Sequence, residues 1–199
     1  MTRIIAGDAG SLRLMAPAKV SRPTSDRVRE AIFSRVASLS DIPGATVLDL
    51  FAGTGALGLE AASRGASAVW LVENHAGATA VLEANIALVA KPLTHAPMLR
   101  SVTSSVARFL AGTPRGEVSL AFLDPPYDYS ASALDDHLVA LAPWLAPDAL
   151  VVVERSTKGQ PPEFPDGYEG LTPKTYGDTT VYWARFLKGS QPPAVASSA

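Results

Sequence analysis

The chain contains no cysteine among its 199 residues. That excludes disulfides, thiolate metal sites, iron–sulfur clusters and a cysteine nucleophile. Histidine is scarce too. His75, His95 and His137 stand too far apart for metal-ligand spacing, so no metal is expected. No apolar run nears the roughly 20 residues that span a bilayer. Residues 1–17 break their apolar stretches with Arg3, Asp8 and Arg13, which leaves no signal-peptide core. A cytoplasmic protein without a membrane partner is expected. Charged residues make up 18% and apolar residues 47%, a globular rather than a disordered composition. Neither sign of charge dominates, and the net charge is −2. Its distribution is uneven: residues 1–35 hold seven Arg/Lys against three Asp/Glu, and the rest holds ten against sixteen. Any footprint for a polyanion therefore lies near the amino terminus.

Residues 2–7 and 12–16 are short apolar runs around Asp8-Ala-Gly10, the pattern of a hairpin. Arg22-Pro23 interrupts the chain, and Thr24 or Ser25 can cap a helix through its hydroxyl. Val28, Ile32, Val36 and Leu39 then follow at helical spacing. From residue 46 the pattern alternates. Strands are expected at 46–50, 68–73, 98–102, 120–123 and 150–154, and helices at 56–64, 76–90 and 131–142. Alternation of this kind predicts a parallel sheet with helices on both faces. Residues 171–176 and 180–187 flank Gly177-Asp178 as a closing hairpin. The last segment, 189–199, is small, polar and proline-bearing, and reads as a disordered tail.

Two segments carry chemistry. The first is Asp49-Leu-Phe-Ala-Gly-Thr-Gly-Ala-Leu-Gly58, which joins the strand from residue 46 to the next helix. Gly53, Gly55 and Gly58 let backbone approach a ligand and turn tightly into a helix. Glu73 ends the next strand, where a carboxylate can accept from ribose hydroxyls. The pattern suits a dinucleotide, whose pyrophosphate would sit on the helix amino terminus. It also suits S-adenosylmethionine, because Asp49 at the strand end matches a ligand carrying an amine.

The second segment is Asp124-Pro-Pro-Tyr127, directly after the strand at 120–123. Two prolines fix the backbone and remove two N–H donors. The turn therefore offers carbonyls and the Asp124 carboxylate at the sheet's carboxyl edge, and Tyr127 adds a flat face for a base. A substrate with an exocyclic amine fits such a group of acceptors. Pro125 and Pro126 shape the turn, and Asp124 is the candidate catalytic acceptor.

Taken together these residues resemble the class I S-adenosylmethionine-dependent amino-methyltransferases. More narrowly they resemble the RsmD family of bacterial small-subunit ribosomal RNA guanine-N2 methyltransferases. The pieces that carry the resemblance are Arg3-Ile-Ile-Ala-Gly7, Arg22-Pro-Thr-Ser-Asp-Arg-Val-Arg-Glu-Ala31, the run from Val47 to Glu60, Ser63-Arg-Gly-Ala66, Phe122-Leu-Asp-Pro-Pro-Tyr127 and Tyr176-Gly-Asp-Thr179. The resemblance runs from about Arg3 to Leu187. Where the family hairpin carries a basic Arg-Gly-Arg-like turn, this chain reads Ala9-Gly-Ser-Leu12, which leaves Arg13 as the nearby cation.

The resemblance implies a Rossmann-like α/β fold with seven strands, mostly parallel, the last antiparallel. It implies a hairpin-and-helix extension facing RNA at 1–42 and a methyltransferase domain at 43–188. Asp49, Phe51, Gly53 and Gly55 would hold the methionine part of S-adenosylmethionine, and Glu73 its ribose. Asn74 and Ser104 or Ser105 would lie at the adenine. Asp124 to Tyr127 would grip the guanine, and Arg3, Arg13, Arg22, Arg27 and Arg29 would meet RNA phosphates. The implied partner is 16S rRNA in the small ribosomal subunit or an assembly intermediate, at guanine 966, approached by a monomer. Rival readings are an adenine-N6 or glutamine-N5 methyltransferase, a nicotinamide-dependent oxidoreductase, and a non-catalytic RNA-binding assembly factor. The glutamine enzyme would be expected to show Asn before Pro-Pro. Pyrimidine-carbon methylation is disfavoured because it normally needs a cysteine.

Overall fold

The computed structural model describes residues 2–16, 26–114 and 117–187. Within them the chain runs α1 (Asp26–Leu39), β1 (Thr46–Asp49), α2 (Ala56–Ser63), β2 (Ala68–Glu73), α3 (Ala76–Ala90), β3 (Met98–Thr103), α4 (Val106–Leu110), β4 (Val118–Leu123), α5 (Ala131–Leu141), a 3₁₀ turn (Ala142–Trp144), β5 (Leu145–Ser156), β6 (Tyr168–Tyr176) and β7 (Thr179–Phe186). One sheet of seven strands has the order β3-β2-β1-β4-β5-β7-β6. The strands from β1 to β5 pair in parallel, and β7 runs antiparallel to both neighbours. The expected fold class holds, antiparallel last strand included.

The central strands are buried on both faces, and successive strand residues feed opposite cores. Val47, Leu120, Phe122, Leu150 and Val152 join the cluster packed with α1, α2 and α3. Leu48, Ala121, Leu123, Val151 and Val153 join the cluster of α4, α5 and Trp144. From β1 the chain winds one way to β2 and β3, then returns to β4 and winds the other way. The crevice beyond the carboxyl ends of β1 and β4 is therefore the topological switch point, where ligands bind in open α/β sheets.

The amino-terminal hairpin makes a single bridge, Arg3 to Arg13, rather than a long ladder. Its backbone bonds run from Ile4 N to Leu12 O and from Leu14 N to Thr2 O. It docks on α2, whose residues from Leu57 to Ser63 are all buried. Glu60 has no exposed surface, and its carboxylate accepts from Ile5 N, Ala6 N and Arg64 Nε. Ser63 Oγ accepts from Ala9 N and donates to Ala6 O, while Ser63 O accepts from Asp8 N. Gly7 lies at φ +82, and a Cβ there would stand 1.9 Å from Ser63 O. Ile4, Ala9 and Leu14 share one apolar cluster with the sheet.

The helix expected to begin at Thr24 or Ser25 is α1, whose capping residues lie outside the described residues, as does the 189–199 tail. Sequence periodicity missed α4, a single short turn of helix. It also undercounted β5, which starts at Leu145: Leu145 pairs with Val118 and Leu150 with Leu120, and Pro147 and Asp148 lie in the bulge between them. Among the described residues no helix is long and apolar enough to cross a membrane.

Candidate active site

Asp49 ends β1 in register with Phe122, two residues before Asp124, so the two motifs meet at the switch point. Asp49 is only 1% exposed. Its Oδ2 accepts from Gly58 N at 2.9 Å, satisfying one of the unpaired donors at the start of α2. Its Oδ1 is buried and has no hydrogen-bond partner among the described residues. Burial pushes the Asp49 carboxyl up to about 7, against the Gly58 N–H bond, and the neighbouring charges of Asp124 and Glu73 push the same way. Three carboxylates thus converge on one edge of the sheet, a field that favours a cationic ligand.

The glycines do different jobs. Gly55, at φ +84, would drive a Cβ into Leu82 and Leu59, and Gly58 would drive one into Leu71. Both let α2 close on its neighbours. A Cβ built on Gly53, at φ +54, would find its nearest neighbour, Phe51 O, 4.0 Å away, so that side of the residue is open. Its N–H donates to Glu73 Oε2 at 2.9 Å, and Glu73 Oε1 accepts from His75 N at 2.8 Å. Asn74 is exposed next to Glu73, and Ser104 N donates to Glu73 O. Ser105 Oγ accepts from Arg108 N as the cap of α4, so its hydroxyl already has one partner. These features fit S-adenosylmethionine. The orphaned Asp49 oxygen suits the methionine ammonium, the open face of Gly53 admits close approach, and Glu73 stands where ribose hydroxyls would be held.

The Asp124 turn is built on the other side of the switch point. Asp124 is half-buried, Pro125 buried and Pro126 exposed, and Tyr127 is 55% exposed. Tyr129, two residues on, holds the turn in place. Its N–H donates to Pro126 O and its carbonyl accepts from Arg155 Nη2. Its hydroxyl lies 2.7 Å from His137 Nε2, and its ring stands edge-on to Phe51 at 5.1 Å. Burial lowers the His137 pKa against the opposing charge of Asp136, and burial raises that of Tyr129. Near neutral pH His137 is therefore uncharged and Tyr129 keeps its proton. Phe51 thus links the glycine loop to the Asp124 turn. Sequence reasoning missed Tyr129, His137 and Arg155, because none belongs to a motif. Their signal was only proximity to the turn and a histidine on the apolar face of an expected helix.

The expected phosphate contacts divide. Arg3 and Arg13 face each other across the hairpin bridge and are exposed, and Arg3 Nε pairs with Asp26 at 3.1 Å. Arg27 is exposed. Arg22 lies outside the described residues. Arg29 is a correction: its side chain is 0% exposed, and Nη2 donates to Arg3 O and Asp26 Oδ1. It fastens the hairpin to α1 and cannot reach a phosphate. Among the described residues no group of three or more His, Asp or Glu is placed to hold a metal ion.

Known proteins share this architecture. The chain is 37% identical over 166 residues to "Ribosomal RNA small subunit methyltransferase D" of Escherichia coli K12, covering 82% of this chain and 79% of that protein. The protein of the same name from Haemophilus influenzae is 31% identical over 156 residues, 78% of each chain. Among solved structures, the Escherichia coli protein yhhF superposes with a TM-score of 0.78 at 33% identity, over 94% of this chain and 98% of that one. Thermus thermophilus TTHA0928 superposes with a TM-score of 0.76 at 28% identity, over 92% and 98%. The resemblance carried by the motifs and these relatives agree with a match of residues 2–185 to the family model described as "Conserved hypothetical protein 95", and the chain belongs to that family, the RsmD family.

Proposed function

We propose that this chain transfers a methyl group from S-adenosylmethionine to the exocyclic N2 amine of a guanine in 16S rRNA, at position 966 of the small ribosomal subunit. The observation that carries the reading is the meeting of Asp124-Pro-Pro-Tyr127 with the Asp49–Glu73 loop at one switch point. The names of the relatives support ribosomal RNA as the substrate class. The base must leave its stack to reach the turn, at a cost of about a few kcal/mol. Tyr127 offers the ring on which it stacks. Pro125 and Pro126 withhold N–H donors, so the amine meets only acceptors there. Asp124 accepts one amine hydrogen and offsets the positive charge that grows on nitrogen.

When bound, S-adenosylmethionine would supply a methyl already activated on a sulfonium, and N2 would take that methyl in exchange for one proton, passed to Asp124 or to water. The protein's share is alignment. Asp49, Phe51, Gly53 and Glu73 hold one end, and Tyr129, His137 and Arg155 hold the turn that orients the other.

Labelled methyl transfer to unmodified small ribosomal subunits tests this, with the product nucleoside identified by mass. N2-methylguanosine at one position is expected. Label in adenine or in protein moves the assignment to another amine. Absence of label, from protein that binds S-adenosylhomocysteine, moves it to a non-catalytic assembly role.

A further inference from the structure

Asn85 lies on α3, outside both motifs, and has no exposed surface. Its amide makes three hydrogen bonds. Oδ1 accepts from Met15 N at 2.8 Å, and Nδ2 donates to Met15 O at 3.0 Å and to Thr54 O at 2.9 Å. One side chain thus grips both backbone groups of Met15, as a neighbouring strand would, and a carbonyl of the glycine loop as well. Met15 is itself 49% exposed, so its own side chain does little to hold it in place. The residue follows Arg13, an exposed arginine of the hairpin, by two positions. Thr54 stands between Gly53 and Gly55, both at positive φ, and Gly53 N is bonded to Glu73. A continuous path therefore runs from the amino-terminal segment through Asn85 and Thr54 to the loop and carboxylate placed at the cofactor.

We propose that Asn85 is a positioning residue through which binding of RNA and binding of cofactor strengthen each other. The inference rests on the reading of the chain as an RNA methyltransferase. Cofactor seated on Gly53 and Glu73 fixes the Thr54 carbonyl. That fixes the Asn85 amide, which in turn fixes the Met15 backbone. RNA then meets a hairpin end whose backbone at Met15 is already fixed, and the entropy of fixing it is not lost a second time. The coupling is reciprocal, so RNA tightens the cofactor by the same factor.

The test is a thermodynamic cycle on the full chain. The Kd for unmethylated small ribosomal subunits is measured with and without saturating S-adenosylhomocysteine, with methyl transfer assayed in parallel. In the wild type the cofactor product should tighten particle binding by about tenfold, within the usual range of coupling between sites. Asn85→Leu keeps an apolar side chain of similar size and removes all three bonds, and should bring that factor close to one. Each single-ligand Kd should change by less than the factor does. Because Asn85→Leu can destabilise the fold, Met15→Pro probes the same link from its exposed end. It removes the N–H that Oδ1 accepts and fixes the backbone of that residue, leaves α3 intact, and should reduce the factor as well.

A wild-type factor of one overturns the inference. So do variants that lose thermal stability or affinity while keeping the full factor, as a purely structural asparagine would. Methyl transfer with a factor of one leaves the proposed reaction standing and removes this inference. Coupled binding without transfer does the reverse, and a wild type that binds no particle removes both.

Discussion

Asp49 combines a structural cost with the binding role proposed for it. In the cofactor-free protein its carboxyl is raised to about 7 from the ordinary 3.8, mainly by burial. The folded state therefore holds a proton that the unfolded state has lost between about pH 4 and 7. The associated stability is fully present below the unfolded value and disappears as pH rises through 7. Asp49→Asn keeps an oxygen for Gly58 N but has no charge to desolvate. Calorimetric unfolding should show the variant more stable than wild type at pH 8, with the difference shrinking toward pH 4. Cofactor binding should move the opposite way. A cationic ligand lowers the Asp49 pKa, so wild-type affinity for S-adenosylmethionine should rise as pH increases through 7, with release of protons. In Asp49→Asn the affinity should be weaker and the pH slope flat. Titration calorimetry in two buffers of different ionisation enthalpy reads both. Equal proton release from the two proteins would contradict the argument.

Tyr129 belongs to the same scale. Tyr129→Phe keeps the ring against Phe51 and removes only the hydroxyl that meets His137. A hydrogen bond of this kind contributes about 1 kcal/mol. The expected result is kcat lowered by about fivefold, with affinity for S-adenosylhomocysteine unchanged. An equal loss in both would place Tyr129 at the cofactor rather than at the Asp124 turn.

Between elements, the hairpin and α2 are joined by polar groups that a periodicity reading does not see. The residues 56–64 read as an ordinary helix, and periodicity alone says nothing of where Glu60 goes. In the structure Glu60 is buried, because the hairpin covers the face that would otherwise meet water. Asn85 escaped notice for the same reason: an amide amid Leu82, Ile86 and Val89 carries no motif, only an unusual burial. What was legible followed from period and punctuation. β2 and α3 have the bounds expected from the sequence, and the two loops at the switch point carry glycines or prolines whose backbone needs are local. What was not legible depended on contacts between residues far apart in the chain.

The hairpin joint is testable at Gly7. A Cβ at φ +82, set 1.9 Å from Ser63 O, cannot be absorbed by a side-chain shift, because the obstructing atom is backbone. Gly7→Ala should push the hairpin off α2, leave Glu60 short of two donors, and cost more than about 2 kcal/mol of stability. Gly7 itself touches Ser63 and neither the strands nor the glycine loop. Below the lowered melting temperature the variant should therefore bind S-adenosylhomocysteine while losing affinity for RNA. Loss of both together would show that the hairpin supports the cofactor site directly.

For the molecule as a whole, charge distribution is the property that sequence gives most directly and structure edits most sharply. Seven basic residues stand within residues 1–35 of a chain whose net charge is −2, and a count alone treats them as equivalent. The fold does not. Arg29 is sealed behind the hairpin with Arg3 O and Asp26, whereas Arg13 and Arg27 are exposed, and Arg3 shares Asp26 across the surface. Each arginine that neutralises a phosphate should contribute roughly 0.7 to 0.9 to the slope of log affinity against log salt concentration. Arg13→Gln and Arg27→Gln should each lower that slope by about one contact. Arg3→Gln should lower it by less, because Asp26 competes with phosphate for the same guanidinium. Arg29→Gln should leave the slope unchanged and lower the melting temperature instead, since it breaks a buried joint rather than an ionic contact. Binding to small ribosomal subunits from 50 to 300 mM potassium chloride, on the order of the range over which such slopes are resolved, separates the two kinds of arginine. A slope that drops with Arg29→Gln but not with Arg13→Gln would mean that the hairpin opens on the RNA. The face that RNA meets would then be the one now folded against α2.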